Sequence, residues 1–249
     1  NNSGTLSVNS GNLDLFPEGS HSGTMNAAAG SRLELLGAGG SSHILNGVSF
    51  GGSGTIIAGG MGSLLITSGG GATVAADTTF QLNGGALDGA GAMTINGHFL
   101  WMDGTIGGTG PLTIAGTSTW GKPFAVLGDR TVTISDTGSV TWNGLVIDMS
   151  NAGIVNHGSF DIRGDGDIRG FENGSFFDNL GTVTKSESIG GEGAGNANIE
   201  VAFNNSGTLS VNSGNLDLFP EGSHSGTMNA AAGSRLELLG AGGSSHILN

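Results

Sequence analysis

Residues 1–46 read NNSGTLSVNSGNLDLFPEGSHSGTMNAAAGSRLELLGAGGSSHILN, and residues 204–249 repeat them letter for letter. Forty-six identities at an offset of 203 positions (1 to 204) are not chance. They predict a tandem array of 203-residue units, with 1–203 one full unit and 204–249 the start of the next. Artificial duplication of one segment is the other reading. Identity, rather than similarity, implies recent duplication or continuing homogenisation.

Inside this stretch lies a shorter period. Thr5-Leu6-Ser7-Val8, Leu13-Asp14-Leu15, Thr24-Met25-Asn26-Ala27 and Leu33-Glu34-Leu35 alternate in polarity and are separated by Gly, Asn and Ser. Thr5 to Thr24 is 19 residues and Leu13 to Leu33 is 20. The spacing continues outward: Ile44 to Leu64 is 20, Thr55 to Thr73 is 18, Thr73 to Met93 is 20, and Met93 to Leu112 and Leu112 to Thr131 are 19 each. Runs rich in Thr, Val, Ile and Leu are strand chemistry, and Gly and Asn supply positive φ at corners. No stretch sustains helical spacing with caps, and Ala27-Ala28-Ala29 is too short to count.

A β-sandwich closes on itself and gives no reason for a 20-residue period to run through the whole unit. A solenoid does. The expected fold is therefore all-β, a parallel β-solenoid (β-helix) of about 20 residues per coil with two or three strands each. Leu, Ile, Val, Phe and Ala point inward. About ten coils per unit, at a strand spacing of ~4.8 Å, span on the order of 48 Å. The period loosens between about 140 and 200. Thr182 to Thr208 is 26 residues, which predicts a protruding loop near 186–197. Open solenoid ends are sheet edges, so the neighbouring identical repeat is the expected partner, with lateral or end-to-end self-association following the same logic.

Composition excludes several classes. Gly is 51 of 249 residues without a three-residue period and Pro is 4, which is not collagen. Charged residues at 11% and a mean hydropathy of +0.07 argue against a disordered tail. No apolar run approaches the ~18 residues of a membrane span. Absence of Cys excludes disulfides and thiolate metal sites. Seven Lys+Arg against 20 Asp+Glu give a net charge of −13, so there is no basic footprint for nucleic acid.

Three stretches resemble the degenerate repeats of very large bacterial surface proteins, the filamentous-haemagglutinin/adhesin type of β-solenoid. They are Leu82-Asn83-Gly84-Gly85-Ala86-Leu87-Asp88-Gly89 with Met93-Thr94-Ile95-Asn96-Gly97, His98 to Gly110, and Phe203-Asn204-Asn205-Ser206-Gly207-Thr208-Leu209-Ser210-Val211. The resemblance implies an extracellular or cell-surface stalk or fibre, with a glycan or cell surface as a further partner, and it carries no catalytic residues.

Candidate chemistry is sparse. Gly116-Thr117-Ser118-Thr119-Trp120-Gly121-Lys122 has phosphate-loop spacing, but Pro123 stands where a Ser or Thr ligates magnesium. His21 and His43 lie 22 residues apart, about one coil, so they can be neighbours on one face, and they read as corner residues against a metal pair. Asp161, Asp165, Asp167 and Glu172 form the densest acidic group. With Gly164 and Gly166 they are the candidate calcium ligands, against a solvated acidic corner offset by Arg163 and Arg169. Otherwise no cofactor is expected. Carboxylates spread singly along the chain, with few Lys or Arg, do not make a polysaccharide-cleaving site, so no enzyme is expected. Thr-x-Thr triplets do not recur coil after coil, which argues against ice binding. Trp101, Trp120 and Trp142 are about one coil apart. They predict an aromatic ladder, buried as a spine or exposed as a sugar platform. Asn1, Asn2, Asn9 and Asn12 are candidates for amide ladders.

Overall fold

A computed structural model describes residues 1–37, 39–60, 64–121, 124–144, 146–171, 174–188, 196–219, 221–240 and 245–249. The described residues form 34 short strands and no helix. The fold is a parallel β-solenoid of about ten turns, with three strands and about 22 residues per turn. Two compact units divide it, Asn1–Thr119 with Gly128–Thr131, and Trp120–Leu127 with Val132–Asn249.

In the first unit one face stacks Thr5–Val8, Thr24–Ala27, Val48–Gly51, Ala72–Val74, Met93–Ile95 and Leu112–Ile114. A second stacks Asn12–Leu15, Arg32–Leu36, Thr55–Gly59, Thr79–Asn83 and His98–Trp101. The third stacks Gly19–His21, Ser42–Leu45, Leu64–Thr67, Ala86–Gly89 and Thr105–Ile106. Thr5 pairs with Thr24 and Leu13 with Leu33, as the sequence spacing predicts. Thr55 does not pair with Thr73. It pairs with Thr79, 24 residues on, while Thr73 lies between Ser49 and Thr94 on another face. Ile44 likewise pairs with Ile66, and Leu64 with Ser42.

The second unit repeats this plan. Its faces stack Gly153–Asn156, Phe176–Asn179, Ala202–Asn205, Gly222–His224 and His246–Leu248; Ser139–Trp142, Ser159–Ile162, Thr182–Lys185, Thr208–Val211 and Thr227–Ala230; and Val146–Ser150, Asp167–Gly170, Asn196–Glu200, Asn215–Leu218 and Arg235–Leu238. Of the stretch expected as a loop at 186–197, residues 189–195 lie outside the described residues, and Asn196 and Ala197 belong to a strand.

Alternation sets the core. In Thr79–Asn83, Phe80 and Leu82 point inward and are fully buried. Their in-register neighbours Ile56, Phe99, Ala58 and Trp101 are buried too. Stacking identical positions on successive coils makes each inward column a continuous apolar strip. Phe50, Phe80 and Phe99 touch ring to ring at 5.6 and 6.0 Å. In the second unit Phe160, Phe177 and Phe203 meet at 5.2 and 5.3 Å, edge to face, the arrangement the ring quadrupole prefers.

Corners in the second unit share a phrase. Asn156-His157-Gly158-Ser159, Asn179-Leu180-Gly181-Thr182 and Asn205-Ser206-Gly207-Thr208 recur on successive coils, followed by His224-Ser225-Gly226-Thr227. Glycine is required by close approach. A Cβ on Gly181 would sit 2.3 Å from the Gly158 carbonyl oxygen, and one on Gly207 2.1 Å from that of Gly181. The asparagine beside it satisfies buried backbone. Asn156 Nδ2 donates to Asn179 Oδ1 at 2.8 Å and to the Thr182 carbonyl at 3.0 Å. Asn179 Nδ2 donates to Asn205 Oδ1 at 2.7 Å and to the Thr208 carbonyl at 3.0 Å.

Candidate functional site

The three tryptophans close inward columns of their strands. Trp101, Trp120 and Trp142 are 0–1% exposed. Trp120 packs edge-on to Phe160 with centroids 5.6 Å apart, and Trp142 lies 6.5 Å from the same ring. The Trp101 indole donates to the Gly104 carbonyl at 3.3 Å. Rings buried in this way present no face on which a sugar could stack.

The acidic group is divided among separate cations. Asp161, outward on Ser159–Ile162, accepts from Arg163 Nε at 2.6 Å. Asp167 accepts from Arg169 at 2.5 Å and from Asn198 Nδ2 at 2.7 Å. Asp165 lies 3.2 Å from Lys185 Nζ and accepts from the Ser188 hydroxyl at 2.9 Å. These hydrogen-bonded carboxylates raise the pKa of Arg163 and Arg169 above the ordinary arginine value. Glu172 lies outside the described residues, as do Lys122 and Pro123 of the phosphate-loop spacing. Among the described residues no three His, Asp or Glu side chains are grouped to hold a metal ion.

Lys185 was not expected in a core column. It continues the inward position of Trp142 and Ile162, with Val211 following, and its side chain is fully buried. A lysine is tolerated there because Asp165 and the Glu187 carbonyl take its ammonium protons.

His21 and His43 are buried and stacked, with centroids 5.3 Å apart. His43 Nε2 lies 3.2 Å from the Leu36 carbonyl, which only accepts, so that nitrogen carries hydrogen. His43 Nδ1 then accepts from His21 Nε2 at 3.0 Å. Both rings are neutral in this arrangement. Burial first, then His43, then the N-terminal ammonium push the His21 pKa down to about 4. The second copy repeats the contact, with His224 Nε2 to His246 Nδ1 at 2.9 Å.

An outward groove of about 330 Å³ runs beside the asparagine corner of the second unit. Its polar wall includes Asp178, Asn204 and Ser223, aligned on successive coils. Asn204 Nδ2 donates to Asp178 Oδ1 at 2.8 Å, and Asn204 Oδ1 accepts from Ser223 N at 3.0 Å. Amide ladders were expected around Asn1, Asn2, Asn9 and Asn12. The buried ladder runs through Asn156, Asn179 and Asn205, the last being the second-copy counterpart of Asn2, and Asn215, the counterpart of Asn12, donates to Asn196 Oδ1 at 2.9 Å; the recurring Asn-x-Gly-Ser/Thr phrase is the signal of the buried part.

No protein-family model matches the chain, no curated protein has significant sequence similarity to it, and no solved structure matches it.

Proposed function

We propose that this chain is a structural segment of a large extracellular or cell-surface protein, in which tandem solenoid repeats form a stiff stalk, fibre or filament. The observation that carries the reading is the exact 46-residue repeat at an offset of 203 residues, laid over stacked three-stranded coils. A fold in which every coil contacts only its neighbours extends by adding repeats, without a new core. Support also comes from the buried tryptophans and the paired acidic residues, which serve cohesion. The role needs neither catalysis nor a cofactor. Immunogold labelling of intact source cells with antibody to this chain tests it. Label along external filaments is the expected result, and label confined to lysed cells would refute it.

A second reading, an adhesive segment taking a glycan or a cell-surface partner, is favoured by the open groove lined by Asp178, Asn204 and Ser223. Glycan-array binding lost in Asn204→Ala would support it.

A further inference from the structure

Strand Phe176–Asn179 alternates, so Phe177 and Asn179 are buried while Phe176 and Asp178 face outward. Phe176 is in register with Gly153 on one side and Ala202 on the other, two of the smallest residues. Its ring fills the space that the glycine leaves. A Cβ on Gly153 would lie 2.4 Å from Phe176 Cζ, and 2.7 and 2.9 Å from its two Cε atoms. A ring meeting the glycine end-on would hold both Cε atoms much farther off than Cζ. Near-equal distances mean that the ring lies flat, with one face on the Gly153 backbone. The other face is turned away from the sheet, and the residue is only partly buried. None of the three buried tryptophans offers such a face.

Asp178 stands two residues on, about 7 Å along the same strand, in the wall of the outward groove. Asp178 Oδ1 accepts from Asn204 Nδ2 at 2.8 Å, and Asn204 Oδ1 accepts from Ser223 N at 3.0 Å. Among the described residues nothing donates to Asp178 Oδ2, and the second Nδ2 hydrogen of Asn204 meets no acceptor. An acceptor and a donor are therefore left side by side in the groove wall. Leu180, 48% exposed, adds an apolar flank at the corner.

A pyranose is amphiphilic in the matching way. One face is a sheet of C–H bonds that packs on an aromatic ring, and each hydroxyl both donates and accepts. We propose that Phe176, Asp178 and Asn204 form a binding site for a neutral hexopyranose, with the C–H face of the sugar on the Phe176 ring and two vicinal hydroxyls on Asp178 Oδ2 and Asn204 Nδ2. The inference rests on the adhesive reading and deepens it, by naming the sugar class and the stacking residue. One hydroxyl donates to the carboxylate, and its neighbour accepts from the amide. Charge selects against acidic sugars. Among the described residues lining the groove Asp178 alone is charged, and the chain carries a net charge of −13. A sialic or uronic carboxylate would meet like charge there with no cation to pair it. In a tandem array the site recurs once per unit, so weak contacts add.

The full chain, clustered on beads, is applied to an array of neutral hexose glycans and of sialylated and uronic-acid glycans. Binding to neutral glycans is expected. Phe176→Leu keeps an apolar side chain over Gly153 but removes the flat ring, and should weaken that binding about tenfold or more. Phe176→Trp restores a ring face and should retain it. Circular dichroism matching the parent in both variants separates loss of the ring from loss of the fold. Neutral-glycan binding that is lost in Asn204→Ala but indifferent to Phe176→Leu would overturn the stacking site and leave the adhesive groove standing. Preference for acidic glycans would overturn the sugar class. Silence toward every glycan would overturn the inference together with the adhesive reading.

Discussion

The pair Gly4 and Gly207 tests the account at one atom. Both sit in Asn-Ser-Gly-Thr-Leu, so local propensity is the same. The prediction is that, in a chain of residues 1–249, where a Cβ on Gly4 would meet nothing within 4 Å, Gly207→Ala destabilises the second unit and Gly4→Ala does not. At Gly207 a new Cβ would stand 2.1 Å from the Gly181 oxygen, more than 1 Å inside ordinary contact. Coils are spaced by only ~4.8 Å, so the corner must open. The bonds at risk are Thr208 N to Gly181 O at 2.8 Å, and Ser206 N and Gly207 N to Asn179 O at 2.9 and 3.0 Å. Losing one or two of them costs about 1 kcal/mol each, and overpacking adds about 1–3 kcal/mol. The expected total is on the order of 2–5 kcal/mol, against less than about 0.5 kcal/mol for an open surface position. Hydrogen exchange read by mass spectrometry resolves the two ends of the chain. Protection across 205–230 should fall in Gly207→Ala and remain unchanged across 1–27 in Gly4→Ala. Equal effects at the two sites would refute the reasoning.

Three further outcomes are expected. The neutral His21–His43 pair makes stability depend on pH: an unfolded histidine titrates near 6.5 and folded His21 at about 4, so the unfolded chain binds protons first as pH falls. The stabilisation is complete above about pH 6.5 and is lost as pH falls toward 4; exchange protection of 19–46 should track that window, and a flat profile would contradict the pairing. Lys185→Ala should cost about 3–5 kcal/mol by stranding Asp165, as read by urea unfolding, whereas Lys185→Met with Asp165→Asn should recover much of it; equal losses would mean that the ion pair is not the cause. Phe177→Ala, between Phe160 and Phe203, should cost about 3–5 kcal/mol, measured by the same method, and a loss below about 1 kcal/mol would place that ring outside the core.

Much of the fold is legible because alternation and period are both visible in runs such as Thr5–Val8 and Thr24–Ala27. The face to which a run belongs is less so. Ala72–Val74 and Thr79–Asn83 have the same Thr and apolar chemistry, and corners vary enough that register steps range from Thr5–Thr24 at 19 residues to Asp167–Asn198 at 31. Spacing and run chemistry alone therefore match Thr55 to Thr73, which lie on two different faces. Trp101, Trp120 and Trp142 were legible as a set by spacing. Their burial follows from alternation, since each lies two residues after another inward position. Lys185 also obeys alternation in Thr-Val-Thr-Lys, but hydropathy alone assigns a lysine outward. Its partner Asp165 comes from the preceding coil and is invisible to local reading. The acidic stretch 161–167 looked like one cluster because its residues are close in sequence. In space Arg163, Lys185 and Arg169 each take a different carboxylate of that stretch.

Cryo-electron microscopy of the full-length native protein tests the central claim most directly. The account predicts three-sided coils of parallel strands stacked ~4.8 Å apart, with a 203-residue unit of roughly nine coils rising on the order of 44 Å, and strand density continuing from one repeat into the next without a gap. Separate globular repeats joined by linkers, or antiparallel strands closing on themselves within a repeat, would contradict it.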